Sequence, residues 1–181
     1  MDIRRITARD RRMAAVHEAG HAVIAMHLGV QMWSVHIHPT RTADFQSEKA
    51  YVGQATYGQP PDMERRRLIA VAGMVAEEVW KARGGPTPYW WDEMFDPACM
   101  SDTDWSDTGC EPGRPDDALH EAADAVEEFL SGVLLPKLTC FSRRLIEAQS
   151  RQTEEAILNV MASLGYAVAV SSDNARARAA A

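Results

Sequence analysis

Residues 14–25 read AAVHEAGHAVIA, and in this segment two histidines flank a glutamate. His17 and His21 are four positions apart, so on a helix they share one face and could bind one small cation together. Neutral imidazole suits zinc, which needs a third protein ligand and keeps one position open for water. A bound zinc ion lowers the pKa of this water towards ~7. Glu18 could then accept the proton of the water and pass it to a leaving amine.

The residues around the motif predict an amphipathic helix. Thr7, with Asp10 three residues later, forms a capping-box pattern and is the expected N-cap. Gly29 predicts the end of the helix after Leu28. Between these ends, a stripe recurs at three- and four-residue steps and consists of Met13, His17, Gly20, His21, Ile24 and Leu28. Both histidines are therefore expected to face inward.

An ordinary helix with two core histidines is the alternative, because a short HExxH string can also arise by chance. The residues inside the motif favour zinc. Ala19 and Gly20 are predicted to keep the helix surface bare where a metal and a substrate would approach, whereas a purely structural helix would more naturally place Leu or Ile there.

The rest of the chain predicts two strands followed by helices. In residues 30–39, Trp33, Val35 and Ile37 alternate with Ser34, His36 and His38, which indicates a strand with one apolar face. Residues 50–58 predict a second strand, whose glycine would mark a bulge or turn. Asp62 follows Pro60-Pro61 and is the expected N-cap of a helix through residue 85. Residues 84–117 predict a long loop with one helical turn, and helices follow over 116–135 and 137–165.

This order predicts a mainly α protein with a small β-sheet (α+β). One domain is expected over residues 1–165, with a flexible tail over 166–181. The net charge of −7 argues against nucleic acid as a partner, since phosphate binding needs a basic surface. Neither a signal peptide nor a membrane span is readable. The three cysteines, Cys99, Cys110 and Cys140, form no CxxC pair, which favours reduced thiols and a cytoplasmic location.

Several segments together resemble the FtsH peptidase family of zinc proteases. HEAGHAV (17–23) resembles the family's zinc helix, and WSVHIHP (33–39) and VGQATY (52–57) resemble its two following strands. LIAVAGMVAEEVW (68–80) resembles the next helix, with its glycine and Ala-Glu-Glu. The likeness covers about residues 10 to 110. It implies a zincin-like helical metallopeptidase domain with Zn²⁺ as cofactor, His17 and His21 as ligands and Glu18 as the catalytic base.

The resemblance implies an aspartate as the third ligand, from a loop such as MSDTDW (100–105). In the family this aspartate follows a small or polar residue and precedes an aliphatic one that opens a helix. Asp104, between Thr103 and Trp105, fits this pattern better than Asp102, which remains the alternative. The other rivals are Asp107 in the same loop, and Glu77 and Glu78, for which a surface or helix-packing role is favoured. The loop before these aspartates is longer than the family's, and residues 106–117 break the helix that the family continues.

Other polar and aromatic residues are weaker candidates. His36 and His38 are expected on a polar strand face that borders the cleft and pairs with an extended substrate. The remaining candidates are Tyr89, Trp90 and Trp91, which either close over the cleft or pack, His27 and His120, expected in solvent, and Cys99 and Cys110, for which metal ligation is not favoured.

The expected function is zinc-dependent endopeptidase activity. The family usually carries a membrane-anchored ATPase, whereas these 181 residues contain no nucleotide-binding motif. We therefore expect a stand-alone peptidase domain that cuts peptides or unfolded protein, alone or with a separate ATPase or adaptor. The alternatives are a catalytically inactive zincin-fold binding or adaptor protein, against which an intact Glu18 argues, and a zinc hydrolase of another bond.

Overall fold

The computed structural model describes residues 3–39, 51–82 and 91–148. Within them the elements are α1 (Ile3–His27), β1 (Met32–Pro39), β2 (Tyr51–Tyr57), α2 (Met63–Lys81), α3 (Trp91–Met94), α4 (Asp102–Thr108), α5 (Asp117–Ser131) and α6 (Leu135–Ala148). The protein is mainly helical with a small antiparallel sheet, which confirms the α+β prediction. The predicted domain end at residue 165, the tail, and Tyr89 and Trp90 lie outside the described residues. In the described part, every helix is too short or too polar to cross a membrane.

Helix α1 starts earlier than predicted. It begins at Ile3, so Thr7 lies inside the helix and is not its N-cap. Threonine costs less than about 1 kcal/mol in a helix interior, and the arginines before it are good helix formers. The C-terminal end matches the prediction: Gly29 has φ of 75°. Val30 N–H donates to the Ala25 carbonyl and Gly29 N–H to that of Met26, which together satisfy two free carbonyls of the last turn.

Helices α1 and α2 pack closely at small residues. A Cβ on Gly20 would overlap the carbonyl oxygen of Ala72 and the side chain of Ala76 on α2. Ala19 is fully buried in the core. The prediction that these two residues leave a bare surface for metal and substrate is therefore wrong. Gly20 instead allows the two helices to approach each other, which brings α2 against the histidines.

The sheet pairs β1 with β2 in antiparallel register, with Val35 opposite Ala55 and Ile37 opposite Gly53. An irregularity between Met32 and Ser34 turns Trp33 outward, and its exposed fraction is 50%. Trp33 was expected on the apolar face with Val35 and Ile37, and that expectation is wrong, because a bulge shifts the alternation by one residue. The bulge lies on β1, so Gly53 on β2 is not the bulge residue that the sequence suggested.

The predicted loop over 84–117 contains two short helices in its described part, α3 and α4. Ser101 is the N-cap of α4, and Gly109 ends it with φ of 73°. Arg67 on α2 forms hydrogen bonds with the last residue of α4 and with Asp116. Its Nε donates to the Thr108 carbonyl at 2.9 Å, and its Nη2 pairs with Asp116, the N-cap of α5, at 2.7 Å.

Helices α2 and α5 begin close to their predicted starts, but the predicted break at residue 136 is wrong, because α5 ends at Ser131 and α6 already begins at Leu135. Asp62 caps α2, accepting from the backbone N–H of Arg65 at 2.8 Å. The buried face of α5 consists of Leu119, Ala122, Ala123, Val126 and Leu130, which recur at three- and four-residue steps. Pro136 stands in the first turn of α6, where a missing N–H costs no helical hydrogen bond.

Candidate metal centre

The structure brings together the two histidines of α1 and an aspartate of α4. One ligand atom from each of His17, His21 and Asp104 lies within 4.8 Å of the other two. His21 Nε2 and Asp104 Oδ1 are 3.8 Å apart. This distance is too long for a hydrogen bond. It is close to the ~3.4 Å that separates two ligands of a tetrahedral zinc ion with bonds of about 2.1 Å. The three atoms therefore fit around a small cation.

In both histidines, Nδ1 forms a hydrogen bond with an oxygen acceptor on α2. His17 Nδ1 donates to Glu77 Oε1 at 2.8 Å, and His21 Nδ1 donates to the Ile69 carbonyl at 2.7 Å. Since each Nδ1 carries the proton, each Nε2 of a neutral ring has its lone pair free. Metal-binding histidines commonly have such partners, which fix the ring and raise its basicity. Glu77 therefore orients the ring of His17, a role that neither the surface nor the direct-ligand interpretation of the sequence assigns to it.

Gly73 on α2 leaves space for the Nε2 atoms of His17 and His21. A Cβ at this position would overlap both His17 Nε2 and His21 Nε2. The backbone of α2 thus forms the floor of the proposed metal position, and only glycine fits there. In sequence, Gly73 and Glu77 are four apart on a helix, so both face the histidines. This spacing is the signal that could have identified Glu77.

Asp104 is oriented by the first turn of its own helix. Ser101 Oγ donates to Asp104 Oδ2 at 2.7 Å, while the backbone N–H of Asp104 donates to Ser101 Oγ. This capping box fixes one carboxylate oxygen and leaves Oδ1 facing His21. Asp102 is exposed and is not part of the three-residue group. Of the two candidate third ligands, the structure therefore places Asp104 at the histidines. Asp104 is the third residue of α4, so the helix begins two residues before it and not directly after it as the family pattern implied.

Glu18 is buried beside the histidines, with an exposed fraction of 7%. A Cβ on Gly53 of β2 would overlap its side chain, so the strand passes directly against the carboxylate. The backbone N–H of Ala55 donates to this carboxylate. Burial, offset in part by His21, raises the pKa of Glu18 to about 7. A carboxyl group with this pKa can both accept and release a proton near neutral pH.

A cavity of about 400 Å³ opens next to His17 and Glu18. Its walls come from α1, β2, α2 and the segment before α4. The cavity reaches Ser101, the residue that orients Asp104. It is of the size that binds small ligands or a few peptide side chains. A substrate in this cavity would lie beside the candidate base.

Tyr57 and Asp107 form a further polar pair between β2 and α4. Tyr57 Oη donates to Asp107 Oδ2 at 3.4 Å. Burial and the adjacent Asp107 carboxylate raise the pKa of Tyr57. Asp107 is engaged with this hydroxyl and does not belong to the three-residue group.

The other candidates lie apart from the group. His36 and His38 stack with ring centroids 5.5 Å apart, and His38 is exposed as expected. His27 is exposed, but His120 is half-buried against Phe95, so its expected solvation is wrong, because its ring packs edge-on against that side chain. Trp91 is buried and its indole N–H donates to Asp124, which is a packing role. Cys99 and Cys110 are half-buried, and neither joins the group.

Comparison with known proteins adds no family assignment. No protein-family model matches the chain. No curated protein matches it significantly. The case for the site therefore depends on the residues and their geometry.

Proposed function

We propose that the protein is a zinc-dependent metalloendopeptidase of zincin type. The observation that carries this proposal is the buried Glu18 next to two histidine Nε2 atoms and an aspartate oxygen, all facing one small space. Two imidazoles and one carboxylate form a donor set that suits zinc and leaves one position open. A site that only bound metal for structure would have no need of a carboxyl group that is kept beside the ligands at the cost of burial.

The chain's own residues have separate tasks in this proposal. His17, His21 and Asp104 would hold the zinc ion. When bound, the ion would polarise a substrate carbonyl and make water more acidic. Glu18 accepts the proton of the attacking water on its carboxylate and donates it to the amine that leaves. Ala55 N–H and the close contact at Gly53 keep this carboxylate in place.

The substrates proposed are peptides or unfolded segments of proteins. The cavity beside Glu18 has a volume of about 400 Å³, which suits a few side chains of an extended segment. The proposed hydrolytic step uses only the metal-activated water and Glu18, so it is expected to proceed without ATP. A separate ATPase or adaptor that supplies unfolded chains is compatible with this scheme.

The first test measures zinc content and hydrolysis of labelled casein in the same preparations. Wild type is expected to hold about one zinc per chain and to release labelled peptides. Glu18→Gln keeps the size of the side chain and should retain zinc, yet lose hydrolysis by at least about 100-fold, because the base is removed. His17→Ala should lose the metal. Glu121→Gln changes an exposed carboxyl group on α5 and should match wild type in both measurements.

Two results would overturn the proposal. One is purified wild type that takes up no stoichiometric zinc. The other is a zinc-loaded Glu18→Gln variant that hydrolyses casein at the wild-type rate.

A further inference from the structure

The cavity beside Glu18 runs along one face of α1. Arg9, Met13 and His17 all line it, and each is four residues from the next, so they lie in a row on the helix surface. Eight residues of α-helix rise about 12 Å. The cavity therefore has the proposed metal site at one end and Arg9 near the other.

The lining between these ends is mixed, and one part of it is apolar. It includes Met13 and Ala14 on α1, Val52 on β2, and Ala98 and Met100 before α4. An apolar wall next to the base favours an apolar side chain in the substrate, since burying it releases water from both surfaces.

Arg9 differs from the other charged groups of the cavity. Glu77 accepts the hydrogen bond of His17, and Lys81 pairs with Glu78. Arg9 is exposed and forms no ion pair or hydrogen bond with the described part of the chain. Its guanidinium can bind a carboxylate through two parallel N–H···O bonds. Asp10, at the same end, adds a negative charge that keeps the expected attraction modest.

We propose that this cavity selects peptides with an apolar side chain beside the scissile bond and a carboxylate about four residues away, which Arg9 binds. An extended chain advances about 3.3 Å per residue, so 12 Å corresponds to about four residues. The inference rests on the proposed function for the position of the scissile bond. The carboxylate can belong to an acidic side chain or to the free C-terminus of the peptide, because the chemistry of binding is the same.

The test measures binding without turnover, by fluorescence anisotropy of labelled peptides with zinc-loaded Glu18→Gln protein. Each peptide has one leucine in a Gly/Ser background to fix its register. One pair of peptides carries Glu or Gln four residues before the leucine, and a second pair carries it four residues after. A third pair ends four residues after the leucine, with a free or an amidated C-terminus. In at least one pair we expect about 3- to 10-fold tighter binding of the carboxylate form.

Variants of Arg9 decide whether this preference has the stated cause. In the Glu18→Gln background, Arg9→Gln should remove the preference, and Arg9→Glu should reverse it in favour of a Lys peptide. Arg12→Gln is the matched control, since Arg12 is an exposed arginine of the same helix that does not line the cavity. The third pair of peptides shows which source of carboxylate is preferred.

The outcomes separate this inference from the proposed function. Equal binding within all three pairs, or a preference that survives Arg9→Gln, would overturn the role of Arg9 even if wild type hydrolyses casein. A preference that depends on Arg9 in a protein that cuts no peptide would overturn the peptidase proposal and leave the carboxylate site standing.

Discussion

Three glycines in this protein are required by the side chains that lie against them. Gly20 lets α2 pack closely against α1, and Gly53 lets β2 pass close to the Glu18 side chain. Gly73 leaves space on α2 for the Nε2 atoms of His17 and His21. None of the three lies in a turn or has positive φ. A methyl group at Gly53 or Gly73 would fill space that the proposed centre uses, and one at Gly20 would push α1 and α2 apart.

Gly73→Ala isolates this requirement. Alanine favours the helical state by about 1 kcal/mol over glycine, so α2 should form at least as readily. The methyl group would nevertheless overlap the two nitrogens, and we expect zinc affinity to fall by at least about 100-fold. The measurement is a zinc titration against a competing chromophoric chelator, with circular dichroism to verify the fold.

Gly58→Ala serves as its control. A Cβ there would have no neighbour closer than 3.7 Å, so zinc affinity should stay at the wild-type value. Wild-type affinity in Gly73→Ala would contradict the placement of the metal above Gly73.

Helix α4, which carries the proposed third ligand Asp104, is too short to be stable by itself. Its seven residues are fixed at the start by the Ser101–Asp104 capping box and at the end by Arg67, which binds the Thr108 carbonyl. The trajectory of α4 therefore depends on α2, the same helix that supports both histidines. Helix α2 therefore positions all three proposed ligands, although none of them belongs to α2.

Arg67→Ala should weaken zinc binding by about 10-fold, although Arg67 touches none of the three ligands. Its loss frees the end of α4 and the start of α5, so Asp104 is held less tightly. The measurement is zinc affinity by the same competition titration. Arg66→Ala, at the next position of α2, removes a guanidinium that bonds no residue of α4 and should have little effect. An unchanged affinity in Arg67→Ala would show that the capping box alone positions Asp104.

Local patterns in the sequence predicted where helices and strands begin and end better than they predicted the contacts between these elements. The Asp62 cap and the Gly29 end of α1 depend on neighbours within one or two turns, and the structure agrees with both predictions. The bulge at Trp33 and the packing role of Gly20 depend on a partner element, and the sequence did not reveal them. The same holds for the support of His17 by Glu77, 60 positions away along the chain.

The hydrophobic core includes many residues outside the proposed centre. Helix α1 packs against α2, both strands and α6, and between Ala15 and Met26 all of its residues except the half-buried His17 are buried. Most of this apolar contact does not involve the metal ligands. The fold is therefore expected to persist without metal, with a lower free energy of unfolding.

Removing zinc with a chelator should lower the melting temperature by about 5–10 °C. Free zinc at 100 times its Kd stabilises a folded protein by about 2.7 kcal/mol. In a chain of this size each kcal/mol shifts the midpoint by about 2–4 °C. The check is a calorimetric scan with and without chelator. Asp102→Ala should keep this difference, whereas Asp104→Ala should lose most of it. The opposite pattern would make Asp102 the ligand.

The position of Asp104 in the chain also bears on how such a protein is made. During synthesis both histidines leave the ribosome long before Asp104, which comes 83 positions after His21. Until α4 has emerged and docked on α2, a nascent chain has the base and two of the three ligands but no complete centre. Hydrolytic capacity would therefore arise only after α4 has emerged and docked, so a nascent chain would not cut its own unfolded segments before that point.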